Sequence, residues 1–165
     1  MSLAVDWLLT RRGADPMDHI DDVFRYAMAR INNREDAEDI AIEIVQALPN
    51  PCNRRDLRIY MVGMARRKIA DHFRRKKHAE PITSYEPSGR FDLAADNLAV
   101  VANVLESLSD DHREVLVLKY VVGMTSAEIG EILEKRSDAV DSLLQRARAC
   151  FANEWLTVTC EEVNW

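Results

Sequence analysis

Half of the stretch ARRKIADHFRRKKH, Ala65 to His78, is lysine or arginine (66, 67, 68, 74, 75, 76 and 77), against one acid, Asp71. The whole chain has 22 Lys and Arg against 28 Asp and Glu, a net charge of -6. Outside the stretch 15 basic residues face 27 acidic ones, so the remainder stands at -12. On a helix of 3.6 residues per turn, Leu57, Met61, Met64, Ala65, Ile69 and Phe73 share one apolar arc. Ile59, Gly63, Arg66, Arg67, Ala70 and Arg74 fall opposite. Small residues between arginines let a backbone approach a phosphate chain while the guanidiniums reach out. The run that follows, Arg74, Arg75, Lys76, Lys77 and His78, adds contacts at the helix end. Each neutralised phosphate releases counterions, which gives salt-dependent affinity for nucleic acid. An isolated basic run is often only a solvated face. An acidic background that repels a polyanion elsewhere favours nucleic acid here.

A second charged pattern lies upstream. Asp36, Asp39, Glu43 and Gln46 share one face of a helix predicted over 34–48. That face suits a basic partner, and it equally suits the solvated side of an amphipathic helix. A third pattern, TSAEIGEIL, then a short turn, then SDAVDSLLQRARACF, has the form of a helix-turn-helix. Ile129, Ile132 and Leu133 are expected to pack on Val140, Leu143, Leu144 and Ala147, placing the second helix to enter a major groove.

Nothing in the chain assembles an enzyme or metal site. The histidines at 19, 72, 78 and 112 have no ligand spacing, and Cys52, Cys150 and Cys160 form no pair pattern. There is no Gly-rich phosphate loop. No apolar run reaches the roughly 20 residues needed to span a bilayer, and the arginines follow the apolar N-terminus instead of preceding it. These features predict a cytoplasmic, reduced protein with no cofactor and no membrane insertion.

The elements that must position these patterns are helical. With five glycines and five prolines in 165 residues, helical periodicity runs nearly throughout. Helices are expected over 18–31, with Ile20, Val23, Phe24, Ala27 and Ile31 inward, and over 34–48, with Ala37, Ile40, Ala41, Ile44, Val45 and Leu48 inward. A third starts near Asp56. The segment 79–96, with Pro81, Pro87 and Gly89, reads as a linker. Beyond it helices are expected over 97–108, from Ser109 to near Gly123, from a capping box at Thr125 to Glu128, and from a cap at Ser137 to about Trp155. The expected class is all-α: two small helical domains, 18–78 and 97–156, joined by a flexible linker. An N-terminal extension (1–17) and a C-terminal tail (157–165) flank them.

NREDAEDIAIEIVQAL with DLRIYMVGMARRKIADHFRRKKH resembles the first domain of bacterial sigma factors. LESLSDDHREVLVLKYVVGMTSAEIGEIL with AVDSLLQRARACF resembles their last. The two-domain layout is that of the extracytoplasmic-function type. The resemblance implies a non-catalytic subunit that binds core RNA polymerase and directs it to promoters, reading a minus-ten and a minus-thirty-five element.

By that resemblance Glu38, Asp39 and Glu43, with Asp36 and Gln46 beside them, meet core polymerase; Ile42 stands where a glutamine is common. Tyr60 takes the place of a usual tryptophan, and stacking a base or filling the core both suit it. Asn50, Asn53 and Arg54 of the loop PNPCNRR fall where related proteins hold an extruded base. Arg66, Arg67, Arg74 and Arg75 follow on the minus-ten side. In the last domain Glu134 replaces a turn glycine, Asp141 a common lysine and Leu143 a common arginine. From 97 to 155 six basic residues face ten acids, a net of -4. Minus-thirty-five contacts then fall to Lys135, Arg136, Ser137, Ser142, Gln145, Arg146 and Arg148. Asp141 either repels phosphate or accepts a hydrogen bond from a cytosine amino group. The implied partners are core polymerase and promoter DNA, with an anti-sigma protein as a third candidate. The competing reading is a stand-alone helix-turn-helix regulator, which would dimerise on palindromic half-sites.

Overall fold

The computed structural model describes residues 15–49, 52, 54, 56–79 and 95–161. Asn50, Asn53, Trp7, Trp165, Cys160, most of the expected linker and the two chain ends lie outside the described residues or side chains. The chain divides into two compact units, Met1–Pro87 and Ser88–Trp165. The described elements are helical, as the periodicity requires.

The first unit opens at Asp15, whose side chain accepts the Met17 N–H at 2.9 Å, with Pro16 at the first position of a 3-10 turn, Pro16–His19. This feeds α1 (Ile20–Ile31). Asn32 ends α1 in the left-handed region (φ 53°), where a short amide side chain is tolerated. The next residue, Asn33, caps α2 (Arg34–Gln46) by accepting the Asp36 N–H at 3.1 Å. The α2 helix stops short of the expected Leu48, because the position before Pro49 disfavours helical backbone. The third helix, α3, spans Leu57–Ala79.

The three helices close on Val23, Tyr26, Ala27 and Ile31 from α1, Ala37, Ile40, Ala41 and Ile44 from α2, and Leu57, Met61, Val62, Ala65 and Ile69 from α3. Each valine, leucine, isoleucine or methionine among them is worth roughly 1.5–3 kcal/mol of burial. Some expected core residues are not there. Phe24, Val45, Leu48 and Met64 are half-buried, and Phe73 is exposed. Phe73 lies at the edge of the apolar arc, with its ring edge-on to His72 at 5.7 Å. Tyr26 and Val62 take the vacated share.

In the second unit, α4 (Ala95–Ser107) ends under Arg113, which donates to the Leu105 and Glu106 carbonyls at 2.8 Å each. Ser109 caps α5 (Asp110–Leu116), which widens into a π-helical turn, Val117–Val121. The sequence read this stretch as one regular helix. Residues 115–118 are all buried, whereas Tyr120 within the turn is 60% exposed. Gly123 (φ 78°) turns the chain, and the Thr125–Glu128 capping box forms as expected, opening α6 (Ser126–Leu133). The last helix, α7, runs Ser137–Glu161. Ser137 is its first residue instead of its cap, and the helix extends beyond the expected Trp155. Ile129 and Ile132 of α6 and Val140, Leu143, Leu144 and Ala147 of α7 are buried.

Candidate functional site

In the first unit the acidic face of α2 meets α3. Lys68 Nζ donates to Glu43 Oε2 at 2.6 Å, and His72 Nε2 lies 3.5 Å from Asp36 Oδ2. Arg34 spans one turn to Glu38 at 2.6 Å. So Glu38 and Glu43 each have a cation inside the chain, and Asp36 faces the His72 ring. Asp39 and Gln46 point to solvent without an ion pair or hydrogen bond among the described residues. Ile42 is 47% exposed between them. The local signal for the Lys68 and His72 contacts was absent from the sequence, because both partners lie on another helix.

On α3, Arg66, Arg67, Ala70, Arg74 and Arg75 are exposed, on the side away from the buried Met61, Ala65 and Ile69. Arg74 pairs with Asp71 at 3.1 Å, a surface contact worth at most about 1 kcal/mol and easily exchanged for phosphate. Arg58 instead turns inward, donating to Asp22 of α1 at 2.7 Å. This ties α3 to α1 and leaves the outer row of arginines directed at solvent. Tyr60 is half-buried, and the Arg54 guanidinium lies 3.6 Å from its ring centroid, a cation–π contact. Two of the residues read as base contacts are thus together.

In the second unit the helix-turn-helix turn is built on close approach. Lys135 N–H donates to the Gly130 carbonyl at 2.9 Å, and Glu134 takes the left-handed conformation (φ 55°). A non-glycine residue there costs about 1 kcal/mol or more. Along α7, Asp138, Asp141, Ser142, Gln145, Arg146 and Arg148 are exposed. Asp138 accepts from Arg136 at 3.0 Å, and Asp141 accepts from Ser126 Oγ at 2.5 Å. Arg148 turns away from the others. Its Nε donates to the Tyr120 hydroxyl at 2.6 Å, at the rim of an apolar groove of about 340 Å³ that Val101, Leu105, Leu116 and Phe151 help to line. Ser126 and Tyr120 were not singled out in the sequence. Both stand inside quoted motifs, but their partners lie 15 and 28 residues away.

The sigma-70 region 4 family model matches residues 98–151, the helix-turn-helix unit. The similarity also runs across both units. The ECF RNA polymerase sigma factor BldN of Streptomyces coelicolor is 27% identical over 144 residues, covering 77% of this chain and 53% of that protein. SigD of Mycobacterium tuberculosis is 29% identical over 143 residues, covering 76% of this chain and 68% of that protein. Over both units the chain is similar to ECF sigma factors. It spans about half the length of the Streptomyces relative. Among solved structures, CnrH in complex with the cytosolic domain of CnrY matches with a TM-score of 0.62 and 25% identity, over 83% of this chain and 82% of that one. The fold is also that of the sigma factor RpoE from Bartonella quintana, crystallised with the anti-sigma factor NepR. There the TM-score is 0.59 at 16% identity, over 90% of this chain and 95% of that one.

The chain's departures from the sigma-factor pattern fall in places the structure explains. Glu134 holds the backbone geometry for which glycine is suited, and Leu143 is buried in the α6–α7 core, where an arginine would need an exit. Among the described residues no helix is long and apolar enough to cross a membrane, and no group of three or more His, Cys, Asp or Glu is placed to hold a metal ion.

Proposed function

We propose that this chain is a sigma factor of the extracytoplasmic-function type, which binds core RNA polymerase and directs it to promoters as an initiation subunit without catalytic chemistry of its own. The observation that carries the reading is an exposed arginine row on an otherwise acidic chain, in a protein whose relatives over both units are sigma factors. Asp36, Glu38, Asp39, Glu43 and Gln46 form the face offered to polymerase. Arg54, Tyr60, Arg66, Arg67, Arg74 and Arg75, with Asn50 and Asn53 before them, serve the minus-ten element. Lys135, Arg136, Ser137, Ser142, Gln145, Arg146 and Arg148 lie in the unit assigned to the minus-thirty-five element. The RpoE relative was solved with the anti-sigma factor NepR, which supports an anti-sigma protein as the third partner proposed for this chain.

The test is co-purification of the full chain with core polymerase, followed by sequencing of the transcripts that the mixture initiates. A defined set of start sites absent from core alone is expected. A chain that ignores core and binds palindromic duplex as a dimer would overturn the assignment.

The arginine row gives a quantitative check. Replacing Arg66, Arg67 and Arg74 by alanine should weaken open-complex formation alike on different promoters. The slope of log affinity against log salt should fall by up to about one per lost phosphate contact. An unchanged slope in the triple variant would mean that the row is solvated surface only.

A further inference from the structure

We propose that Gln145 is the specificity-determining residue of the upstream duplex contact and takes an adenine, while Asp141 is a positioning residue that holds α7 on α6 through Ser126. The inference deepens the promoter-directing function proposed above and rests on it. It also gives Asp141 a role other than the two that the sequence leaves open.

The outward side of α7, opposite the buried Val140, Leu143, Leu144 and Ala147, carries the row Asp138, Ser142, Gln145 and Ala149. These positions repeat at intervals of four, three and four residues, so they lie along one line of the helix. The Asp138 carboxylate accepts from Arg136, and the Ser142 hydroxyl donates to the Asp138 carbonyl at 3.0 Å. Asp141, on the flank of the row, takes the Ser126 hydroxyl instead. On the outer flanks Arg146 leans back toward the Ser142 carbonyl at 3.4 Å, and Arg148 is held by Tyr120. Gln145 alone in the row has a side chain that both donates and accepts, with neither function engaged among the described residues. Small Ser142 and Ala149 on either side leave room for a base edge to approach it.

A carboxamide offers one N–H donor beside one C=O acceptor. In the major groove only adenine presents the complementary pair, N7 as acceptor and the N6 amino group as donor. Guanine presents two acceptors and would leave the carbonyl unmatched.

The Ser126–Asp141 bond joins the first residue of α6 to the second turn of α7. With its Oδ1 engaged there, Asp141 sets the angle of the reading helix instead of contacting a base. The two acids also stand beside internal donors, which lowers the repulsion that the net negative charge of this unit implies.

The experiment uses the full chain with core polymerase on a template library randomised over the upstream duplex, with transcripts sequenced. The wild-type profile tests the underlying function: start-site choice no better than core alone overturns that reading. Given selective initiation, Gln145→Ala should erase a preference for adenine at one base pair, worth roughly 5- to 150-fold, and leave the other pairs alone. Gln145→Glu should move the preference at that pair to cytosine, since a carboxylate accepts from the cytosine amino group. Ser126→Ala and Asp141→Ala should each lower use of every upstream sequence alike, with the double variant no worse than either. Ser126→Thr and Asp141→Asn keep the donor and the acceptor and should behave as wild type. An unaltered profile in Gln145→Ala overturns the assignment of Gln145. A change at one base pair in Asp141→Ala, with Ser126→Ala silent, overturns the positioning role and makes Asp141 the reader. Thermal melts of each variant separate these outcomes from loss of folding.

Discussion

Gly130→Ala is expected to destabilise the second unit by about 2 kcal/mol, although alanine is the better helix former by nearly 1 kcal/mol. A Cβ at Gly130 would stand 2.5 Å from the Lys135 carbonyl oxygen, and that oxygen belongs to backbone that cannot rotate away. The same turn is tied by Lys135 N–H to the Gly130 carbonyl, so relief of the clash strains a hydrogen bond as well. For a unit of this size the loss corresponds to a fall in melting temperature of roughly 8–16 °C. Initiation that depends on the upstream element should fall with it, because the turn sets how α7 is presented. Gly63, within α3, is the internal control. Nothing lies within 4 Å of a Cβ built there, so Gly63→Ala should stabilise the first unit by about 0.5–1 kcal/mol. Differential scanning calorimetry of the two variants reads both signs. Stabilisation at both positions would show that the Lys135 carbonyl yields freely and that the turn is not held by close approach.

The helical class and the helix-turn-helix were legible because they rest on local signals. Thr125 and Glu128 cap a helix three residues apart, and the Ile129, Ile132, Val140, Leu144 and Ala147 pattern keeps helical period on both sides of the turn. The sequence read less well where tertiary contacts decide. Phe73 continues the apolar period of α3 but lies past the arc that α1 and α2 cover, so it remains exposed. Tyr26 and Val62 are fully buried at positions the wheel left aside. The charged faces show the same division. Exposure of Arg66, Arg67 and Arg74 follows from the wheel alone, whereas the ties from Glu43 to Lys68, from Asp36 to His72 and from Asp141 to Ser126 join separate helices. No spacing rule within one helix exposes such a pair. Their consequence is functional, because an acid already matched inside the chain is a different probe of a partner surface from one that is not.

Asp39→Lys should accordingly abolish co-purification with core polymerase, and it tests the α2 face more cleanly than a change at Glu43. Reversing Glu43 would set a cation against Lys68, now 2.6 Å from its carboxylate, and would disturb the α2–α3 packing along with any partner contact. Reversing Asp36 would likewise remove the carboxylate that faces His72 on α3. Asp39 is exposed and has no ion pair among the described residues, so its removal leaves the unit's own contacts intact. A like charge set opposite a basic partner costs several kcal/mol at an interface, which is a loss of a hundredfold or more in affinity. The free protein should keep its melting temperature to within about 2–4 °C, as surface substitutions away from such contacts usually stay within ±0.5 kcal/mol. Asp39→Asn, which removes the charge without reversing it, should give an intermediate loss that shrinks as salt is raised, because screening weakens the wild-type attraction as well. Full retention of core binding by Asp39→Lys, with helicity unchanged, would move the polymerase contact off the outward side of α2 and leave its acids as solvated surface.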